Sequence, residues 1–193
     1  GPKPEIGFSD AINNDIVILR HSENCLIYDE PISSGGILWD DLVKWWHANS
    51  RVKCESVADA RKSLGARLQE SLQSEGEKNF FRQYFRHLRP QLKSKLPALI
   101  PQVYLHYDPA TARILLKRRQ GQRLPRQRMD FLLLLTEHRR VVIEIDGQHH
   151  FCDESGNPSL TKYSEMMSAD RELRLSGYEL YRFGANEVCG GGA

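Results

Sequence analysis

The chain has 193 residues, with 27 Lys plus Arg against 25 Asp plus Glu and 40% hydrophobic residues. That is enough chain to bury a core without cross-links; no apolar run reaches the roughly 18–20 residues of a membrane span, and no secretory signal is visible. Cys25, Cys54, Cys152 and Cys189 lie far apart with no C-x-x-C pair, which excludes a disulfide scaffold and points to reduced thiols in a cytoplasmic protein.

Gly1-Pro2 reads as a protease-cleavage remnant, and residues Glu5 to Asp10 do not open like a natural N-terminus. The chain is therefore expected to be one part of a longer polypeptide with further domains or a partner protein. Ile16–Leu19 and Cys25–Tyr28 are short apolar runs expected to form a hairpin, with His21–Asn24 as the turn. After the break at Ser33-Ser34-Gly35-Gly36, the residues Leu38, Trp39, Leu42, Val43 and Trp46 fall at helical spacing. Ser56 and Asp59 form a capping pair for a second helix carrying Val57, Ala60, Leu64, Leu68 and Leu72. A third helix begins near Glu77, with Phe81, Tyr84, Phe85 and Leu88 on its apolar face. Arg82, Arg86 and Arg89 form a basic stripe on another face, and Pro90 ends or kinks the helix.

Beyond Pro97 and Pro101 the period changes from helix to strand. Gln102–Tyr107 alternates, reaches the turn signal Asp108-Pro109-Ala110-Thr111, and is expected to pair with Arg113–Leu116. Met129–Leu135 and Val141–Ile145 are apolar runs joined through residues 136–140, a hairpin of strands buried on both faces. Lys162–Ser176 is a helix stopped by Gly177, and Tyr178–Phe183 a last strand. The expected fold class is α/β, a mixed central sheet flanked by helices over residues 97–193. A hairpin and helical region over residues 1–96 is expected to pack on it.

The net charge of +2 conceals a strong asymmetry. Residues 113–128 carry seven basic and no acidic side chains, whereas residues 1–46 and 129–193 are each net negative by five. A basic segment between acidic thirds suits a protein that holds a polyanion beside a carboxylate cluster. The competing reading is a solvated basic loop.

Apolar buried strands have no reason to hold ionised carboxylates unless these are paired or bind a metal. Asp130 opens one strand, and Glu144 and Asp146 close the next with their side chains on one face. Across the hairpin, Asp130 lies toward the same end as Asp146. Three hard oxygen donors at one sheet end suit Mg²⁺ or Mn²⁺, which activates water and neutralises charge on a phosphate under attack. Gln148, His149 and His150 add polar groups beside this cluster. The alternatives are ion pairs of Asp130 and Glu144 with Arg128, Arg139 or Arg140, a turn-capping role for Asp146, and ordinary turn or core roles for the histidines.

The motifs Arg128-Met129-Asp130-Phe131 and Val142-Ile143-Glu144-Ile145-Asp146-Gly147-Gln148-His149-His150, followed by Asp170-Arg171 and by Gly177-Tyr178-Glu179-Leu180-Tyr181-Arg182-Phe183, resemble the PD-(D/E)XK nuclease superfamily. Within it they are most similar to the very-short-patch-repair and DUF559-type branch and to the abortive-infection AbiJ N-terminal type domain. The likeness spans roughly residues 100–188. Pro101–Pro109 and Cys25–Asp29 also resemble the AbiJ group. The resemblance implies a restriction-endonuclease-like core in which Asp130, Glu144 and the backbone carbonyl of Ile145 hold the metal. Asp146 stands where many members carry the motif lysine, within an E-x-D-G form that recurs in this branch with a histidine, here His150, a few residues on. Gln148 stands where relatives often have lysine.

Together these readings predict a metal-dependent endonuclease acting on nucleic acid, DNA ahead of RNA, with bacterial anti-phage defence added by the resemblance. Asp130, Glu144, Asp146, Gln148 and His150 are the expected catalytic group. Arg118, Arg119, Arg123, Arg126 and Arg128 would carry the phosphate backbone, with Arg82, Arg86 and Arg89 extending the track. The alternative, favoured by the residues at 146 and 148, is a catalytically inactive nuclease-like module that binds nucleic acid or a partner protein.

Overall fold

The computed structural model describes residues 5–10, 15–21, 26–49, 53–104, 128–136 and 138–190, with strands 5–10 and 15–20, Tyr104 and His149 described by backbone alone. The chain forms two compact units, one comprising residues 1–30 and 106–126, the other residues 31–105 and 127–193. In the first, β1 (Glu5–Asp10) pairs antiparallel with β2 (Asp15–Arg20). The hairpin expected between Ile16–Leu19 and Cys25–Tyr28 is thus made with the preceding segment instead, and Leu26–Asp29 contains no strand. The register sets Ile6 against Ile18 and Phe8 against Ile16.

The second unit opens on three helices. α1 (Trp39–Asn49) buries Trp39, Leu42 and Val43. α2 (Val57–Gln69) is capped by Ser56, whose hydroxyl accepts from the Asp59 amide at 3.1 Å, and buries Ala60, Leu64 and Leu68 on one stripe. α3 (Glu75–Leu92) begins one turn's cap earlier than the apolar stripe implies, because Ser74 accepts from the Glu77 amide at 3.1 Å. Pro90 lies inside α3, two residues before its end, and the helix stops at Lys93, where φ is 52°.

The sheet of this unit has four strands in the order β3-β4-β5-β6, namely Ile100–Tyr104, Arg128–Leu134, Arg140–Asp146 and Tyr178–Gly184. β3–β4 and β4–β5 are antiparallel and β5–β6 parallel, so the sheet is mixed. α4 (Leu160–Leu175) makes the crossover that a parallel pair requires, and Gly177 at φ 83° turns the chain from it into β6. α5 (Ala185–Cys189) closes the described chain. β3 pairs with β4, setting Val103 against Met129; the expected partner, Arg113–Leu116, lies outside the described residues.

Both central strands are buried on both faces, as continuous apolar runs require. On one face Phe131 meets Phe80 and Phe81 of α3, with ring centroids 5.4 and 6.4 Å away. On the other, Leu132 and Val142 form a cluster with Leu173 of α4. Helices therefore cover the sheet on both sides. The helices expected to pack on the sheet belong to the same unit as the sheet. Among the described residues no helix is long and apolar enough to cross a membrane.

Candidate functional site

The register that sets Phe131 against Ile143 and Leu132 against Val142 continues, by its alternation, to Asp130 against Glu144, on the face that carries Leu132 and Val142. Both carboxylates are buried, each 8% exposed. Asp130 Oδ2 accepts the backbone N–H of Ile145 at 2.9 Å. A strand residue directs its N–H and C=O to the same side, which puts the Ile145 carbonyl on the β4 side of β5.

The arginines that could have neutralised this pair are engaged elsewhere. Arg128 donates to Gln73 Oε1 at 2.9 Å, Arg139 grips Glu179 at 2.7 and 3.2 Å, and Arg140 lies over the Tyr178 ring, 5.7 Å from its centroid. Burial raises the Asp130 pKa to about 6; Glu77 and Asp146 push the same way, while the Ile145 amide and Arg128 oppose it. Burial, then the charge of Asp130, raises Glu144 to about 8, against the opposing charge of Arg182. Two carboxyls that resist joint ionisation are a site short of positive charge.

Asp146 shares the face of Glu144 but has its own cation. Its Oδ1 accepts from Arg182 Nη1 at 2.7 Å, and His150 Nδ1 lies 3.7 Å from the same oxygen. Arg182 comes from β6, where the parallel register sets it beside Glu144. Its Nε and Nη2 donate to Asp170 Oδ1 at 3.0 and 2.6 Å, with Nε also 3.2 Å from Oδ2. Burial disfavours the Arg182 charge, yet Asp170 and Asp146 more than offset this and hold its pKa above the ordinary arginine value. Asp170, itself buried in α4, thus ties the helix to the sheet, and it does so through the carboxylate site.

Glu77 and Gln102 complete the surroundings, and neither stood out in the sequence. Glu77 is 5% exposed on α3; its Oε2 accepts from the Gln73 amide at 3.0 Å and Gln102 Nε2 at 2.7 Å. Ser74-x-x-Glu77 has the spacing of a capping box, which disguises a glutamate lying on the same stripe as buried Phe81 and Tyr84. Gln102 sits at φ 57° within β3, and its Oε1 is buried without a hydrogen-bond partner among the described residues.

The remaining expected residues divide. Gln148 and His150 begin and end a 3-10 turn, Gln148–His150, directly after β5. Gln148 is exposed. Arg128 is described, at the start of β4. Arg118, Arg119, Arg123 and Arg126 lie outside the described residues. Arg82, Arg86 and Arg89 are all exposed on α3. Trp39 is core, 3% exposed, against the edge of Phe85 at 4.7 Å.

Among the described residues no three His, Cys, Asp or Glu side chains are gathered into a metal-holding group. The donors available are the carboxylates of Asp130 and Glu144 and the Ile145 carbonyl. They fit a hard divalent cation, since all are oxygens and the two acids are buried with no ion pair among the described residues. Mg²⁺ in particular takes one or two carboxylates and keeps several waters. No protein-family model matches the sequence, and no curated protein and no solved structure is significantly similar to it.

Proposed function

We propose that this end of the sheet is the catalytic site of a metal-dependent nuclease with a restriction-endonuclease-like core, hydrolysing phosphodiester bonds of nucleic acid, DNA ahead of RNA. The observation that carries the reading is the buried Asp130–Glu144 pair, raised in pKa and left without a bound cation by every neighbouring arginine. A divalent cation held by Asp130, Glu144 and the Ile145 carbonyl would supply charge neutralisation at the phosphate and a more acidic bound water.

The chain's own residues do the rest. The Ile145 N–H fixes one oxygen of Asp130, which leaves the other for the metal. Arg182 holds Asp146 in place, and Asp146 in turn lies 3.7 Å from His150 Nδ1, which sets the imidazole beside the carboxylate cluster as its candidate proton carrier. Arg128, one residue before the Met129-Asp130 pair, offers a guanidinium to a phosphate near the metal. The resemblance of the motifs adds anti-phage defence as the setting.

Incubation of the protein with plasmid, linear and single-stranded DNA and with RNA, in Mg²⁺, Mn²⁺ or EDTA, tests the reading. Cleavage is expected with metal and not in EDTA, and Asp130→Ala and Glu144→Ala should each abolish it. Survival of every substrate under every metal would refute catalysis. A second reading, an inactive nuclease-like module, is favoured by one observation: Asp146 sits in an ion pair with Arg182 where relatives place a free lysine. Salt-sensitive nucleic-acid binding without turnover would select it.

A further inference from the structure

A cavity of about 490 Å³ opens beside the C-terminal end of α3, within the size range of small-ligand sites. Arg61 of α2, Arg89 of α3 and Lys93 line it with Asp40 as the only acid, Ser94 adds a hydroxyl and Phe85 an apolar wall. Three observations set this cavity apart from a solvated basic surface. Arg61 is anchored at one corner, its Nη2 donating to Asp40 Oδ1 at 3.1 Å, while its Nε is buried with no hydrogen-bond partner among the described residues. A buried donor without an acceptor is rare in folded proteins and calls for a missing group. Arg89 and Lys93 make no ion pair among the described residues, so the cavity keeps an excess of positive charge. Lys93 holds φ 52° and ψ −120°, backbone angles that belong to glycine in a type II′ turn. Strain of this kind persists where a side chain must be aimed.

The geometry points to a phosphate-binding site in this cavity, with the guanidinium forks of Arg61 and Arg89, the Lys93 ammonium and the Ser94 hydroxyl as donors. Planar arginine forks match the oxygens of a phosphate in pairs, and lysine adds a point charge. The phosphate could belong to a free nucleotide or to the end or backbone of a polynucleotide. Arg82, Arg86, Arg89 and Lys93 are exposed at spacings of four, three and four residues, one face of α3 running about 17 Å back from the cavity, as a strand's phosphates would need. The inference is independent of metal and of catalysis.

The test is titration of the whole chain in EDTA with inorganic phosphate, AMP, a 5′-phosphorylated single-stranded oligonucleotide and its unphosphorylated twin, followed by backbone amide NMR. Inorganic phosphate and AMP should shift the amides of residues 61, 89 and 91–94, whereas acetate at equal ionic strength should not. Arg89→Gln and Lys93→Gly, both at exposed positions, should each weaken phosphate binding about tenfold, the loss expected for one charge-assisted hydrogen bond. An oligonucleotide bound at least 100-fold more tightly than AMP identifies the polymer as the source; equal affinities identify the nucleotide. Absence of phosphate shifts at the cavity, equal shifts with acetate, or undiminished affinity in both variants would each overturn the site. None of these results depends on whether Asp130 and Glu144 support cleavage.

Discussion

Replacing Glu144 by glutamine tests the electrostatics of the sheet end without requiring any activity. The folded-state pKa of Glu144 is raised to about 8 from the usual 4.5, mainly by burial and by Asp130. A carboxyl raised in this way binds its proton more tightly folded than unfolded. Its contribution to stability is therefore fully present below about pH 4.5 and is lost as pH rises through about 8. Treated as a single site, the two values imply a loss of about 4 kcal/mol between pH 5 and pH 9. Asp130, raised to about 6, adds a loss of the same sign that is complete at lower pH. Glutamine keeps the shape and removes the charge. Urea denaturation at pH 5, 7 and 9 in EDTA should show Glu144→Gln near wild-type stability at pH 5 and more stable by a few kcal/mol at pH 9. Adding Mg²⁺ at 100 times its Kd should return about 2.7 kcal/mol to the wild type and nothing to the variant. A stability difference between the two proteins that stays constant from pH 5 to pH 9 would refute the account of a buried, uncompensated pair.

Substitutions at three further positions probe the framework. Arg182→Met strands Asp146 and Asp170, whose side chains are 14% and 13% exposed, and should lower stability by about 3 kcal/mol. Arg182→Lys should recover part of this, since an ammonium cannot serve both carboxylates in one plane; urea midpoints of the two variants measure it. Lys93→Gly puts glycine where φ is 52° and should raise stability by about 1 kcal/mol, seen as a higher thermal midpoint, even as it weakens phosphate binding. Gly36→Ala should be destabilising by about 2 kcal/mol or more, again by urea midpoint. At φ 79° its Cβ would fall 1.9 Å from the Leu134 carbonyl oxygen that accepts the Ile37 N–H.

What the sequence revealed and what it hid follow from the range of the interactions concerned. β4 and β5 were legible because two long apolar runs flank one short polar turn, so each strand's nearest partner is also its actual one. Asp130 and Glu144 were legible for the same reason, as charges inside runs that should hold none. β2 was misassigned a partner because one short segment lies on each side of it in the chain and local pattern does not rank the two; the structure pairs it with Glu5–Asp10. The Asp170–Arg182 bond was hidden because Asp170 sits in a helix rich in charged residues, and only the packing of α4 on the sheet shows that it faces inward. Glu77 was read as part of a helix start, and its role beside Asp130 emerges only when α3 is laid against the β3–β4 edge. The phosphate cavity draws on α1, α2 and α3 at once, so no sequence window contains it.

The position of Arg182 bears on why aspartate rather than lysine occupies position 146. All three guanidinium nitrogens are engaged, two by Asp170 and one by Asp146, so this cation is committed to framing the site and acts on Glu144 by its charge, without a hydrogen bond to it. A lysine at 146 would set an ammonium against that guanidinium and leave Asp170 as its only partner. Asp146→Lys, which places lysine where the PD-(D/E)XK motif pattern has it, should therefore not enhance catalysis. It is expected to lower stability by about 3 kcal/mol, the scale of breaking a buried pair, and to cut any metal-dependent cleavage. A paired substitution, Asp146→Lys with Arg182→Gln, removes the repulsion and should recover stability relative to Asp146→Lys alone. If Asp146→Lys by itself matches the wild-type urea midpoint and cleaves faster, then Arg182 is not the fixed partner of position 146, and the site works by a different arrangement of charge.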